Sequence, residues 1–216
     1  MTKPNHPTSD VAFTGQVKAE QIRRGSRAAY ARLEQEGGFQ TEIGDDLAAF
    51  VARQRSAFLA TASAGGQPYV QHRGGPAGFL KVLDPHTIAF ADFAGNRQYI
   101  SLGNLAENPK VHLFLIDYEH RQRIKIWGEA RVVEDDPVLL TRLTPVGYKA
   151  KPERAIVIRV TAWDANCPQH IPQRLEASNV ETALAARDAR IAVLEAEVKA
   201  LRTQAADPSS LMGKAR

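Results

Sequence analysis

Short apolar runs separated by turn-forming residues dominate the middle of the chain, from about residue 57 to residue 163. The runs are rich in β-branched and aromatic residues, and glycine, proline and aspartate lie between them, as is typical of β-strands joined by tight turns. The pattern predicts strands over residues 57–62, 69–73, 79–83, 87–92, 111–118, 123–134 and 154–163.

Helical periodicity replaces this pattern in three stretches. The first begins at Thr14 and is weakened in its middle by Gly25. The second covers residues 45–54, where two aspartates at the start suit the positive N-terminal end of a helix. The third covers residues 180–204, near the end of the chain.

The third stretch has a narrow apolar seam with alternating spacings of three and four residues. The seam consists of Val180, Leu184, Arg187, Ile191, Leu194, Val198 and Leu201, of which Arg187 is the only polar member. Two interpretations are open, since such a helix can pack on its own barrel or pair between chains. The narrowness of the seam favours pairing between chains, and Arg187 weakens that preference.

Antiparallel strands with short turns, without the alternation of strand and helix that marks a parallel sheet, predict a mainly β (α+β) fold. We expect an antiparallel barrel, closed or partly closed, with N-terminal helices. The expected organisation is a flexible arm (1–13), a barrel domain with the N-terminal helices (14–178), a coiled-coil-like helix for oligomerisation (179–204) and a frayed tail (205–216).

Composition narrows the function classes. The 216 residues are 44% hydrophobic and 24% charged, as in ordinary globular proteins. Neither an export signal nor an apolar run near the roughly 18 residues of a membrane span is present, so a cytoplasmic protein without membrane contact is expected. The net charge of +4 comes from scattered basic residues, which favours a phosphorylated small molecule over nucleic acid as the partner.

Several chemical motifs are absent from the sequence. No G-x-G-x-x-G follows a strand, and neither a P-loop nor H-E-x-x-H occurs. Cys167 and His170 have the spacing of two metal ligands but no second pair, so no metal is expected. Because Cys167 is the only cysteine, no intrachain disulfide can form.

Polar residues suited to phosphate lie at the ends of predicted strands. Arg73 closes one strand, and Arg123 begins another. Asn96, Arg97 and Ser101 follow a third strand, and Asn96 can cap a helix whose N-terminus attracts anions. The arginine fork binds two oxygens of a phosphate at once. Together these residues predict a phosphorylated ligand.

Three segments carry specific motifs: FLATASAGGQPYVQHRGGPAGFLKVLD, FADFAGNRQYISLGNLAENPKVHLFLIDYEHRQRIKIWGEARVV and AWDANCPQHIPQR. From about residue 45 to residue 174, the chain resembles the pyridoxamine 5′-phosphate oxidase-like family of flavin-binding split β-barrels. The resemblance implies a split β-barrel, a homodimer, and FMN bound in two sites at the dimer interface.

The resemblance also implies a set of FMN-binding residues. Arg73 and the Asn96–Arg97 pair would contact the phosphate, and Arg123 would reach the flavin from the partner subunit. The full set is His72, Arg73, Gly74, Phe90, Ala91, Asp92, Asn96, Arg97, Ser101, Arg123, Asn166, Cys167, His170 and Arg174. Within it, Phe90, Ala91 and Asp92 would lay their backbone along the flavin ring, and His72 and Gly74 would flank the flavin.

The segment from Trp163 to Arg174 differs from the Arg-Leu-x-Pro type ending of the true oxidases, so oxidation of vitamin B6 is not expected. His170 is the candidate proton donor, because the pKa of histidine lies near neutrality. The alternative is that Asn166, Cys167 and His170 only brace a loop. Arg123 and Arg174 are candidates for a positive charge beside the flavin.

These features predict an FMN-dependent oxidoreductase that uses NAD(P)H to reduce a small substrate. Two alternatives are a flavin-binding module without catalysis and a haem-binding relative of the same fold, the second suggested by the Cys167–Pro168 dipeptide. A deazaflavin in place of FMN is not excluded by the sequence.

Overall fold

The computed structural model describes residues 6–206. The chain divides into two units, Met1–Ile171 and Pro172–Arg216. Among the described residues, all strands belong to the first unit, and the second contains one long helix. The division therefore falls several residues before the expected boundary at residue 178.

From residue 6 onward, three α-helices precede the sheet: α1 (Gly15–Arg23), α2 (Arg27–Gln35) and α3 (Asp45–Arg53). Thr14 caps α1 by accepting a hydrogen bond from the backbone N–H of Val17 at 3.3 Å. Gly25, at a φ of +78°, separates α1 from α2, so the first predicted helical stretch is two helices.

Part of the predicted flexible arm is packed against the rest of the chain. Thr8–Val11 form a short 3-10 helix, and the side chain of Ser9 is fully buried. The Thr8 hydroxyl lies 3.0 Å from the carbonyl oxygen of Gly37 and 2.5 Å from that of Phe39. These bonds correct the prediction from Thr8 onward, and residues 1–5 lie outside the described part of the chain.

In the part of the chain that the structure describes, seven strands form one antiparallel sheet. They are β1 (Ser56–Ala62), β2 (Pro68–Gly74), β3 (Lys81–Asp84), β4 (Thr87–Phe93), β5 (Lys110–Asp117), β6 (Gln122–Val133) and β7 (Pro152–Asn166). Their order across the sheet is β2-β1-β5-β6-β7-β4-β3. The antiparallel, mainly β architecture predicted from the sequence is confirmed.

Two further helices lie between strands. Helix α4 (Ile100–Glu107) connects β4 to β5, and α5 (Pro137–Leu143) connects β6 to β7. Helix α5 was not predicted. Its start follows local rules, because Asp136 accepts a hydrogen bond from the N–H of Leu139 at 2.8 Å and proline occupies the first helical position.

The sheet buries side chains on both of its faces near β4. Ile88 and Phe90 belong to the main core, while Ala89 and Ala91 belong to a second cluster that α5 covers with Leu143. Burial on both faces explains why β4 reads as a continuous apolar run rather than as alternating apolar and polar positions.

Helix α4 is fixed against the first two strands by side-chain hydrogen bonds. The hydroxyl of Ser101 donates to Gln71 Oε1 on β2 at 2.9 Å, and Asn104 Nδ2 donates to the hydroxyl of Thr61 on β1 at 2.9 Å. Since α4 follows β4 directly, these bonds bring the end of β4 to the side of β2.

The second unit consists mainly of α6 (Ala177–Ala206), which contains the predicted helix over 180–204. Its apolar seam residues are exposed. In the described part of the chain, no helix combines the length and apolar character needed to span a membrane. Most of the predicted frayed tail, from residue 207 onward, lies outside the described residues.

Candidate functional site

A cavity of about 290 Å³ lies where β2, the end of β4 and the start of α4 meet, and we refer to it as the polar cavity. It is lined by Gln71, Arg73, Asp92, Phe93, Gly95, Asn96, Arg97, Tyr99, Ser101, Leu102, Glu153 and Arg154. The structure thus brings together Arg73, Asn96, Arg97 and Ser101, four of the five residues that the sequence assigned to a phosphate, whereas the fifth, Arg123, does not line this cavity.

Alternation along β2 decides which of its side chains reach the polar cavity. Gln71 and Arg73 line it, whereas His72 lies on the other face of the strand. There His72 Nε2 is 2.6 Å from the Ser56 hydroxyl, and its ring packs edge-on against Phe58. The structure does not place His72 with the phosphate-suited residues.

Gly74 ends β2 in a tight space. A Cβ at this position would lie 2.8 Å from His72 Cε1 and 3.1 Å from the carbonyl oxygen of Arg55. Packing at the end of the strand therefore favours glycine here, independently of any ligand.

Asp92 holds two arginines at the wall of the polar cavity. Arg73 Nη1 donates to Asp92 Oδ1 at 2.5 Å, and Arg154 Nη1 donates to Asp92 Oδ2 at 3.2 Å. The Asp92 side chain is only 8% exposed. Shared contact with one buried carboxylate fixes the position of both guanidinium groups.

Arg154 was not among the residues predicted from the sequence. It lies on β7 directly opposite Asp92, and its Nη2 also donates to Glu153 at 3.0 Å. Burial alone would lower the pKa of Arg154, but the hydrogen bond and the charge of Asp92 outweigh burial and raise it. Arg154 therefore stays charged. In the sequence, Arg154 could have been noticed as an arginine at the start of an otherwise apolar strand.

Arg73 retains binding capacity after pairing with Asp92. Its Nε is buried and has no hydrogen-bond partner. A buried donor without a partner costs free energy that an anionic ligand would recover. Among the cavity residues, three arginines face two carboxylates, Asp92 and Glu153, so the lining carries a net positive charge.

The backbone between β4 and α4 is strained. Arg97 and Tyr99 both adopt left-handed conformations, with φ of 59° and 55°. A non-glycine residue in this region costs about 1–2 kcal/mol, and such strain concentrates at functional sites. Both residues line the polar cavity, so the strained turn forms part of its wall.

Asn96 does not cap α4, contrary to the prediction. Its Oδ1 instead accepts a hydrogen bond from the N–H of Gln98 at 3.3 Å, which stabilises the turn before the helix. The N-cap position belongs to Tyr99, whose side chain makes no capping hydrogen bond. The first turn of α4, which lines the polar cavity through Ser101 and Leu102, therefore has no side-chain cap.

The predicted ring-side residues on β4 can contribute only backbone groups or charge. The side chains of Phe90 and Ala91 are buried in the two cores, and that of Asp92 is paired with arginines. Strand β3 begins at Lys81, opposite Ala89, so the following β4 residues have no partner in β3. This leaves one backbone edge of β4 unpaired by a strand next to the polar cavity.

A second cavity, of about 660 Å³, is formed by α3, the β5–β6 turn and the end of β7. Arg123 and Asn166 line it and face each other across β6 and β7. Arg123 Nε and Asn166 Oδ1 are both buried without hydrogen-bond partners. None of the residues that line this cavity lines the polar cavity, so one chain keeps the two predicted groups apart.

The loop after β7 carries the remaining candidates. Cys167 and His170 are exposed, and His170 has a left-handed φ of 64°. Ile171 is buried and ends the first unit, whereas Arg174 belongs to the second. In the described part of the chain, no three His, Cys, Asp or Glu side chains are grouped closely enough to hold a metal ion.

Three solved structures with which this chain shares a low sequence identity illustrate the similarity. An FMN-binding protein from Syntrophomonas wolfei has 13% identity and a TM-score of 0.44, with 69% of this chain and 97% of that one covered. An F420 reductase has 22% identity and a TM-score of 0.40, covering 54% and 94%. HutZ, a heme storage protein from Vibrio cholerae, has 18% identity and a TM-score of 0.37, covering 56% and 89%.

Comparison with curated proteins gave no match. The sequence model of one family, described as pyridoxamine 5′-phosphate oxidase, matches residues 43–167. This region is more than half of the chain and contains all seven strands and the linings of both cavities up to residue 167. The chain therefore belongs to the pyridoxamine 5′-phosphate oxidase family.

Proposed function

We propose that this protein binds FMN as a homodimer and uses it, with NAD(P)H as the reductant, to reduce a small substrate. The observation that carries the proposal is the polar cavity, where Arg73 keeps a buried Nε without a partner beside Arg97 and Ser101. These groups suit the phosphate of a nucleotide cofactor.

The phosphate end of FMN would be held by two kinds of donor. Arg73, fixed by Asp92, offers N–H groups in a rigid fork, and Arg97 adds a second positive charge. The first turn of α4 adds backbone N–H groups without a side-chain cap, at the positive end of the helix dipole. The residues of the polar cavity therefore fit a phosphate.

The polar cavity is too small for the whole cofactor. Its volume of about 290 Å³ lies below the range of about 300–1,000 Å³ that is usual for ligand sites. The flavin ring would extend beyond it along the edge of β4 after Ala89, where β3 no longer pairs. This arrangement agrees with the predicted role of the Phe90, Ala91 and Asp92 backbone.

A second copy of the chain would complete the site. Arg123 and Asn166 carry buried polar atoms without partners but lie in a separate cavity of the same chain. In a symmetric dimer, the second cavity of one subunit can face the polar cavity of the other. Two equivalent FMN sites would result, each built from both subunits.

When bound, FMN supplies the redox chemistry, and the protein supplies position and charge. Arg123 would place a positive charge beside the ring and so favour its uptake of electrons. His170, exposed on the loop after β7, is the candidate donor of a proton to the substrate. Asn166 would orient the ring or the substrate by hydrogen bonding.

Binding of FMN and of riboflavin to the purified protein, measured by calorimetry, tests the phosphate site. We expect FMN to bind at least about 100-fold more tightly, since only FMN carries the phosphate that Arg73 and Arg97 would contact. Equal affinities would contradict the assignment of the polar cavity. If the protein bound F420 or haem in preference to FMN in the same assay, that compound would take the place of FMN as the proposed cofactor.

Anaerobic mixing of the FMN-loaded protein with NADH or NADPH tests the catalytic part of the proposal. The expected result is loss of the visible flavin absorbance with at least one of the two nicotinamides. Tight FMN binding without any such loss would favour the alternative function, a flavin-binding module that does not catalyse nicotinamide-linked reduction.

A further inference from the structure

Helix α6 presents a heptad pattern with one polar member, Arg187, on an exposed face. The d positions are Val180, Arg187, Leu194 and Leu201, and the a positions between them are Leu184, Ile191 and Val198. The apolar members are between 38% and 63% exposed. A run of large apolar side chains of this kind normally becomes buried against a partner.

The residue types at these positions select one kind of partner. In the second half of the seam, Ile191 and Val198 are β-branched and occupy a, while Leu194 and Leu201 occupy d. β-Branched residues at a combined with leucine at d favour two-stranded parallel coiled coils. The second half of α6 therefore matches a parallel helix of the same sequence.

Charges beside the seam agree with the parallel arrangement. In a parallel pair, each g residue lies near the e residue of the following heptad on the other chain. Arg190 would thus meet Glu195 of the partner subunit, and Glu197 would meet Arg202 of the partner subunit. Both contacts are attractive. An antiparallel pair with Ile191 facing Leu194 would keep attractive contacts of Arg190 with Glu197 and of Arg202 with Glu181, but it would place Asp188 beside Glu195, a repulsion that the parallel pair lacks.

Arg187 is the polar layer of the seam. In a parallel pair it meets Arg187 of the partner subunit, and Asp188 at the neighbouring e position supplies the opposite charge. A single polar layer of this kind lowers stability but fixes the register of the two helices. The first half of α6 is thus the weaker half and the one that sets alignment.

We propose that α6 pairs with α6 of a second copy of this chain in a parallel two-stranded coiled coil. The seam covers about three heptads, which is short for an independent coiled coil. In the homodimer of the proposed function, on which this step rests, attachment to the barrel domain raises the effective concentration of the two helices and compensates for their shortness. The pairing goes beyond the proposed flavin function and does not require bound cofactor.

Cross-linking in the full-length protein tests both the partner and the direction. In a chain in which Cys167 is replaced by serine, Leu201→Cys places a thiol at a d position near the end of the helix. In a parallel pair two such thiols face each other, whereas in an antiparallel pair each faces residue 184 of the other chain. Thr203→Cys in the same background is the control, because position f points away from the seam.

We expect Leu201→Cys to form covalent dimers under mild oxidation at least about ten times faster than Thr203→Cys. Equal rates, or no cross-link from either thiol, would overturn the proposal. The second outcome is the one expected if the seam packs within its own chain. Circular dichroism of both variants confirms that the helix content is unchanged.

A charge exchange tests whether the two helices run parallel, rather than only whether they lie close to each other. In the Leu201→Cys background, Glu197→Arg sets like charges against each other and should slow cross-linking about fivefold. Adding Arg202→Glu restores opposite charges in a parallel pair and should recover the rate. Failure of the double exchange to recover it would contradict the parallel arrangement. Glu197 has no charged neighbour three or four residues away, so its substitution leaves charge pairs within the helix intact.

Discussion

Arg73 Nη1 and Asp92 Oδ1 lie 2.5 Å apart, although four strands separate β2 from β4 in the order of the sheet. The contact requires the sheet to curl until its two ends approach each other. Charged side chains connect β2 to β4 at this point, because the two strands do not form backbone hydrogen bonds with each other. The ion pair that joins the barrel also fixes the guanidinium that we assign to the cofactor phosphate.

Asp92→Asn should lower the free energy of unfolding of the cofactor-free protein by about 2–4 kcal/mol. The substitution keeps the shape of the side chain but leaves two mostly buried guanidinium groups, Arg73 and Arg154, without their shared negative charge. Urea denaturation measures the loss. Glu129→Gln, which breaks an exposed ion pair with Arg159, is the control and should cost less than about 1 kcal/mol. Equal effects would show that the Arg73–Asp92 contact does not hold the barrel together.

Arg97→Gly should weaken FMN binding while leaving the stability of the protein nearly unchanged. Glycine adopts the observed φ of 59° without steric cost, so relief of strain should offset the entropy cost of glycine, and stability should change by less than about 1 kcal/mol. Loss of the charge should weaken FMN binding about ten- to hundredfold and leave riboflavin binding unchanged. Thermal unfolding and calorimetric titration with both ligands provide the measurements.

The matched control is Arg121→Gly, which removes another exposed arginine with a left-handed φ, 52°, from the β5–β6 turn. Arg121 lines the second cavity and not the polar cavity. The preference for FMN over riboflavin should therefore persist in this variant. If both glycine variants reduced that preference equally, the phosphate would not be bound at Arg97.

The strands and the phosphate-suited residues were predictable because both are local properties of the sequence. Apolar periodicity and turn residues marked every strand to within a few positions. The residue types of Arg73, Arg97 and Ser101 indicate phosphate binding, and all three residues line one cavity. The same local signals predicted the antiparallel fold, which the structure confirms.

Other parts of the site depend on tertiary register and backbone conformation. Arg154 joins it because β7 places that residue opposite Asp92, a pairing that the sequence does not state. The left-handed conformation of Tyr99 carries no sequence signal. His72 points away from Arg73, as the two-residue repeat of a strand already indicates, and its place beside the flavin stays a prediction.

Two glycine-to-alanine substitutions should have opposite effects on stability. Gly103 lies within α4, and a Cβ there would meet no atom within 4 Å, so Gly103→Ala should stabilise the protein by about 0.5–1 kcal/mol. At Gly128, beside a register shift between β6 and β7, a Cβ would lie 2.5 Å from the carbonyl oxygen of Arg159. Gly128→Ala should therefore cost about 2–4 kcal/mol. Thermal unfolding distinguishes the two, and a stable Gly128→Ala variant would contradict the observed packing.

Protonation of His112 should destabilise the fold at mildly acidic pH. Burial, and then the nearby charge of Lys125, lower the pKa of His112 below its ordinary value of 6.5. Because the unfolded state then binds the proton more readily than the folded state, stability is retained above pH 6.5 and lost as the pH falls through this value. His112→Gln cannot take up this proton. Its urea midpoint should fall less than that of the parent protein between about pH 8 and pH 5.5. His6→Gln, at an exposed position, is the control, and identical slopes for the parent and His112→Gln would contradict the assignment.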